Sequence, residues 1–479
     1  MVDPHRLPGD TPEARRPDDR GAVSSRWILP ATILGSSLGF IDSSVVNVAL
    51  PAIRRGLDTD LATLQWVVNG YMLTLASLIL LGGSAGDHFG RRRVFLVGLA
   101  GFTAASIGCG FAPAAGWLIT ARLVQGAAAA LLMPTSLAII GASYTGEARG
   151  SAIGTWAAAG ALTTALGPPL GGWLVDTVGW RAIFFINLPL ATAAMLLGLR
   201  LPVDRGTKRA EPLDGRGALF AALALGLLSY GLIALGAGTR RVGAIAAAAA
   251  LPAIWLFVRT EARSASPMMP LSLFRHRDFA GANVLTILLY AALSGALFLM
   301  PFMLIQVHGY SATAAGGAFL PFAAFMGLGS RWSGGLVQRF GSRPPLIVGP
   351  SVTAAGFLTL GMSGADPSYW TGFLPGLILV ATGMTLSVAP LTATVFNSVP
   401  DEKSGTASGV NNAAARVGGL LAVAALGLAF GRSDPASIGG AGVANAYRLV
   451  MLLAAVLAGS SAITAAVMIG PQRLDPPST

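Results

Sequence analysis

Gly83-Ser84-Ala85-Gly86-Asp87-His88-Phe89-Gly90-Arg91-Arg92 returns 251 residues later as Gly334-Gly335-Leu336-Val337-Gln338-Arg339-Phe340-Gly341-Ser342-Arg343. Both copies run from small residues through Phe-Gly into arginine, and both follow the second apolar run of a six-run block. A weaker echo pairs Gly150, Ala152 and Gly154 with Gly405, Ala407 and Gly409 at an offset of 255. Repeated halves in a chain of many apolar segments are the signature of a secondary transporter, in which two bundles rock about a central site.

The 479 residues are 53% hydrophobic and only 11% charged, with a mean hydropathy of +0.66. This composition argues against a water-soluble enzyme. A helix needs about 20 apolar residues to cross the hydrocarbon layer. Runs of that order lie at 27–51, 63–86, 93–111, 115–141, 148–174 and 181–199, then at 217–237 and 242–258. Six more follow at 279–306, 312–337, 344–364, 369–396, 404–430 and 444–470. The expected fold is an all-α polytopic membrane protein of fourteen helices. Residues 27–200 and 279–470 form two six-helix bundles, and 201–278 is a linker carrying two inserted helices. Residues 1–26 and 471–479 are polar tails, the first without the apolar core of a cleavable signal.

The net charge of +11 reflects topology rather than nucleic-acid binding. With the N-terminus inside, 22 Lys/Arg fall in cytoplasmic segments, 7 in outer loops and 3 within spans, as the positive-inside rule requires. Both termini are then cytoplasmic and the expected location is a bacterial inner membrane. The single cysteine, Cys109, excludes an intramolecular disulfide and a cysteine metal cluster. The four histidines are scattered and no phosphate-binding loop is present. We therefore expect no metal and no cofactor, with an ion gradient as the energy source, and nothing implies an obligate protein partner.

Asp42 is the only acid well inside any apolar run. A central charge costs roughly 2.5 to 3.5 kcal/mol, so its default reading is functional. It lies about 14 Å from the outer end of helix 1 at Pro51, and Arg122 lies about 10 Å from the outer start of helix 4, so the two can share one depth. Desolvation and a nearby arginine push a carboxyl pKa in opposite directions, which is what a switchable proton site needs. A neutral structural aspartic acid, and an arginine that locks backbone carbonyls, are the plainer readings of the pair.

Four motifs in order resemble the major facilitator superfamily, specifically its fourteen-helix drug/proton antiporters. They are Gly83 to Arg93 after helix 2, Arg122-Leu-Val-Gln125-Gly126 in helix 4, Gly167-Pro168-Pro169-Leu-Gly171-Gly172 in helix 5, and Asp42 ahead of Val46-Asn47-Val-Ala-Leu50-Pro51. The resemblance implies proton-coupled efflux of amphiphilic drugs or antibiotics by alternating access, with Asp42 and Arg122 as the coupling pair. It implies an antiporter motif at Gly167, Pro168, Gly171 and Gly172, although Thr163 replaces a glycine common in that motif. It also implies a cytoplasmic latch at Gly83, Asp87, Gly90, Arg91 and Arg92, whose echo carries uncharged Gln338 in place of Asp87. Candidate cavity residues are Gln65, Trp66, Asn69, Gln125, Met133 and Trp156 from the first half. Tyr290, Phe298, Asn411, Asn412 and Arg416 come from the second. The expected partners are the lipid bilayer, protons and a small amphiphilic substrate. Export of a dedicated lipid, siderophore or self-made metabolite is the alternative, and a non-transporting membrane sensor a remote one.

Overall fold

The computed structural model describes residues 19–203, 213–363, 368–400, 403–430 and 440–471. The first half comprises α1 (Asp19–Leu57), α2 (Leu61–Phe89), α3 (Arg91–Gly110), α4 (Ala115–Ser143), α5 (Gly146–Thr177), α6 (Ala182–Phe185) and α7 (Asn187–Gly198). Two further helices, α8 (Gly215–Gly236) and α9 (Arg240–Arg263), form a hairpin. The second half comprises α10 (Arg277–Phe302), α11 (Ala312–Gly317), α12 (Leu320–Phe340), α13 (Arg343–Ser363), α14 (Leu374–Asn397), α15 (Ser404–Ala425) and α16 (Gly440–Met468). Twelve helical segments among the described residues are long and apolar enough to cross a membrane. The other two expected spans are α5, 32 residues long, and the α6–α7 pair, whose apolar stretch Ala182–Gly198 is shorter.

Some boundaries differ from expectation. Helix α1 starts at Asp19, so part of the expected 1–26 tail is helical, while residues 1–18 and 472–479 and the linker charges Arg205, Lys208, Arg209 and Glu211 lie outside the described residues. The expected sixth helix is broken at Ile186. Pro189 has no N–H to offer the Phe185 carbonyl, so the regular ladder is interrupted there.

The repeat is visible in three dimensions. Helices pair alike in both halves: α1 with α5 and α7, α10 with α15 and α16, α3 with α4, and α13 with α14. Gly90 (φ 93°) and Gly341 (φ 74°) make the same turn, in a backbone region that a Cβ disfavours. Arg92 then donates to the Leu199 carbonyl at 2.6 Å, and its echo Arg343 donates to the Ala466 carbonyl at 2.7 Å. Each arginine thus satisfies a carbonyl that the end of the sixth helix of its own bundle leaves without a partner.

The halves meet along two related seams, α5 against α11–α12 and α15 against α2. The hairpin leans on both halves, with α8 packed against α2 and α15. At the end bearing the α1–α2 turn the first seam is shut. A Cβ on Gly172 would collide with the Ala312 carbonyl, and one on Gly316 with the Pro168 carbonyl, so only glycine permits this approach. Toward the arginine-rich end the seam parts. A Cβ on Gly150, Gly154, Gly327 or Gly335 would meet nothing within 4 Å.

Candidate functional site

Four helices of the first half bring polar side chains to one buried point. Arg122 and Gln125 are three residues apart on α4 and so project from one face. Asp42 comes from α1, Ser106 from α3, and Asn187 from the hitch that opens α7. None of the five is more than 1% exposed. Arg122 Nη1 forms the ion pair with Asp42 Oδ2 and also donates to Gln125 Oε1 at 2.8 Å, while Nε donates to the Val67 carbonyl at 3.1 Å. The guanidinium lies 4.4 Å from the Tyr71 ring centre and 6.0 Å from that of Phe184, a stacking that further stabilises a desolvated cation. Gln125 Nε2 donates to Asp42 Oδ1 at 2.9 Å and Ser106 Oγ at 2.8 Å. Asn187 Nδ2 donates to the same two oxygens at 3.2 and 3.0 Å. A charge pair this deep is tolerated because nearly every remaining lone pair and N–H has a partner.

Asp42, Arg122 and Gln125 therefore come together, but Gln125 belongs to this network rather than to a cavity wall. Ser43, Asn47, Tyr71 and Met72 surround Arg122 at a narrow cleft with no room for a water molecule. Between the halves, Arg416 Nη2 lies 3.9 Å from Met133 Sδ, and Arg416 interacts electrostatically with Tyr290 and Tyr71. Trp156 meets Phe40 edge-on and donates to Ser36 Oγ at 2.9 Å. Asn412 is exposed, bonded to its own helix at Ser408.

Other candidates lie elsewhere. Gln65 donates to the Val423 carbonyl at 2.6 Å and the Ala424 carbonyl at 3.3 Å, tying α2 to α15. Trp66 packs on Tyr230 of the hairpin. Phe298 is core, stacked on Phe302. Asn411 is held inside the second half by Asn283 and Thr286. Asn69 is wholly buried, with neither amide atom bonded to a described group. At the arginine-rich end, Asp87 accepts from Arg91 Nε and Nη2 at 3.0 and 2.8 Å. That ion pair is internal to the first half and does not tie the two halves. Gly83 is half-buried on α2 just before it.

A further tie between the halves sits at the shut end, on Asp176 just beyond the apolar run 148–174. Asp176 accepts from the Thr313 amide at 2.7 Å, the Thr313 hydroxyl at 2.6 Å and the Ala312 amide at 3.2 Å. Partial burial raises its pKa, but these hydrogen bonds outweigh that and hold the carboxyl below the ordinary aspartate value. A recess of about 300 Å³ beside it is lined by Pro51, Arg55, Asp176, Tyr310 and Ser311. Among the described residues no group of three or more His, Cys, Asp or Glu is placed to hold a metal ion.

Residues 32–423 match the family model of the Major Facilitator Superfamily. The chain belongs to the major facilitator superfamily. Relatives within it include the tetracenomycin C resistance and export protein of Streptomyces glaucescens, 36% identical over 84% of this chain and 75% of that protein. The multidrug resistance protein Stp of Mycobacterium tuberculosis is 38% identical over 83% and 74%, and the methylenomycin A resistance protein of Bacillus subtilis is 35% identical over 84% and 86%. Among solved structures, a bacterial homologue of the lysosomal transporter Spinster, inward-facing and unoccupied, superposes with a TM-score of 0.66 at 17% identity, covering 94% of this chain and 97% of that one. A D-xylose–proton symporter gives 0.65 at 14% over 94% and 98%. The last two show the shared fold alone. Family membership makes the chain a multi-pass membrane transporter of the facilitator type.

Proposed function

We propose that this facilitator exports amphiphilic drugs or antibiotics across the bacterial cytoplasmic membrane in exchange for protons. The Asp42–Arg122 ion pair, fully buried in the first bundle, is the observation that carries the reading. A carboxylate kept out of water can be neutralised either by its arginine or by a proton. Protonation would release Arg122 from electrostatic capture, and the side chains packed around Arg122, Tyr71 and Met72 among them, would carry that change toward the space between the halves. With the arginine-rich end in the cytoplasm, the parted seam faces inward and the Gly172–Gly316 contact seals the outside. The relatives' resistance and export functions support the direction of transport.

The test is transport of a monovalent lipophilic dye by proteoliposomes under an imposed proton gradient. Wild-type protein accumulates the dye against its gradient. Asp42→Asn keeps size but cannot bind and release a proton, and should lose accumulation while retaining downhill exchange of the dye. Accumulation by the variant would remove Asp42 from the coupling role. Efflux confined to one endogenous lipid, siderophore or metabolite, with an unaltered drug-susceptibility panel in an efflux-deficient host, would favour a dedicated exporter.

A further inference from the structure

We propose that Asn187 is a two-way amide that hydrogen-bonds Asp42 in both of its protonation states, making it the positioning residue that lets this carboxyl take up a proton. The inference rests on the reading of Asp42 as the coupling carboxyl. Every polar group now facing Asp42 is a donor: Arg122 Nη1, Gln125 Nε2 and Asn187 Nδ2. That arrangement suits a carboxylate. A carboxylic acid carries a donor of its own and requires an acceptor, and a buried donor without one is costly.

Two amides reach Asp42, and only one is free to turn. Gln125 Oε1 accepts from Arg122 Nη1 at 2.8 Å and from Cys109 Sγ at 3.6 Å. Turning Gln125 over would press its NH2 against the guanidinium, so its orientation is fixed by Arg122. Asn187 Oδ1 is buried and has no partner among the described residues. Rotation of its amide breaks nothing at that oxygen, gives up the two bonds that Nδ2 makes to Asp42 and Ser106, and exchanges the two ends. Oδ1 then faces Asp42 Oδ1 and Ser106 Oγ. When Asp42 gains a proton on Oδ1, that hydroxyl donates to Asn187 Oδ1, and the Ser106 hydroxyl reverses from acceptor to donor toward the same oxygen. Gln125 Nε2 continues to donate to Asp42 and Ser106. The hitch at Ile186–Asn187 sets the amide at this point by ending one helical ladder and beginning another. An orphaned amide oxygen on a side chain whose Nδ2 lies 3.2 Å from Asp42 Oδ1 is otherwise unexplained in a network so fully bonded.

The charged and titratable groups that interact electrostatically with Asp42 are Arg122 from α4, Tyr71 from α2 and Cys109 from α3, and Tyr71 in turn interacts with Arg416 of α15. The α7 face contributes only Asn187. Removing its amide deletes one of three donors to the carboxylate together with the amide oxygen that can turn to accept from the acid, so proton binding should weaken.

The experiment is an infrared pH titration of purified full-length protein in detergent, following the carboxyl band that Asp42→Asn abolishes. Asn187→Leu should shift its midpoint down by about one pH unit, a tenfold loss of proton affinity. Asn187→Ser, whose hydroxyl can donate or accept, should titrate near wild type. Asn187→Val replaces Asn187→Leu if the latter does not fold. An unchanged or raised midpoint in the apolar variant, or a serine variant that shifts as far as leucine, overturns the proposal. The Asp42 titration is read without transport, so this outcome stands apart from the dye assay that tests Asp42 as the coupling group.

Discussion

Arg122 is held from four sides, by Asp42, Gln125, the Val67 carbonyl and the Tyr71 ring, and this decides how the pair answers substitution. Removing one member of a buried ion pair costs about 3–5 kcal/mol, because the other charge is left uncompensated. Asp42→Asn should fall at the low end, since the new amide oxygen can still accept from the guanidinium. Arg122→Met strands a carboxylate, which then protonates instead of unfolding the bundle. Combining the two removes both charges and should destabilise less than the sum of the single changes, by about 1–3 kcal/mol. Thermal unfolding in detergent checks this, and strict additivity would show that the two side chains are not an energetic unit. Asp42 and Arg122 were legible in the sequence because ionised groups are conspicuous in an apolar run, whereas Gln125 read as a cavity residue. Ser106 and Asn187 were not legible. Buried hydroxyls here mostly turn back on their own helix, as Ser77, Ser136 and Thr286 do, so an isolated Ser or Asn carries little signal. The Asn between Phe184-Phe185-Ile186 and Leu188-Pro189 was the available clue.

The α5–α11 contact is a seal made of backbone. Gly172 and Gly316 admit no side chain, and Asp176 fastens the start of α11 with three hydrogen bonds. Asp176→Ala should loosen this end without disturbing the core, and Gly316→Leu should hold it apart by bulk. A cysteine introduced at Ser311, on the wall of the recess, should be labelled several-fold faster by a membrane-impermeant maleimide in either background. An unchanged labelling rate would show that the tie does not close this end. The pH response has a definite sign. Asp176 titrates below its ordinary value, so the tie is at full strength above that value and is lost as pH falls through the lowered one. Arg55 and Tyr310 border the same recess, but neither loses charge on acidification. The thiolate that reacts with maleimide becomes scarcer in acid in every background, so the ratio of labelling with Asp176 intact to labelling in Asp176→Ala should rise as pH falls. Gly172 was visible as part of a motif, with Gly167 and Gly171 beside it on α5. Its partner on α11 was not, because no spacing along the chain reports a contact between helices more than 130 residues apart.

The two-bundle plan was readable from the repeated Phe-Gly-arginine turns because a pattern kept at a fixed offset marks equivalent positions in equivalent units. The docking of the α8–α9 hairpin was not, since apolar faces that meet lipid and those that meet protein have the same composition. With the hairpin packed outside the seams, the space between the halves keeps only their own charges. Among the described residues the acids Asp58, Asp60 and Asp176 lie at the shut end, and Asp87, Asp214, Glu261 and Asp278, with Asp19 and Glu147 at the starts of α1 and α5, at the arginine-rich end. Midway there is Asp42, neutralised by Arg122, and half-buried Arg416. The middle of the pathway is therefore net positive whether or not Asp42 holds a proton. A force of roughly 150 mV supplies about 3.5 kcal/mol per proton, enough to concentrate a neutral substrate roughly 300-fold, so one proton site suffices for efflux. Charge selection follows from the same inventory. A singly charged amphiphile can place its cation over aromatic faces such as Trp156 and Tyr290 and keep its apolar body among methionines. A compact dication has no second carboxylate to offset its desolvation. Monovalent cationic dyes should be exported and divalent dyes of similar size should be poor substrates, measured as efflux from the same cells. Equal export of both, with mutual competition, would mean that acidic side chains reach the substrate from outside the paths traced here.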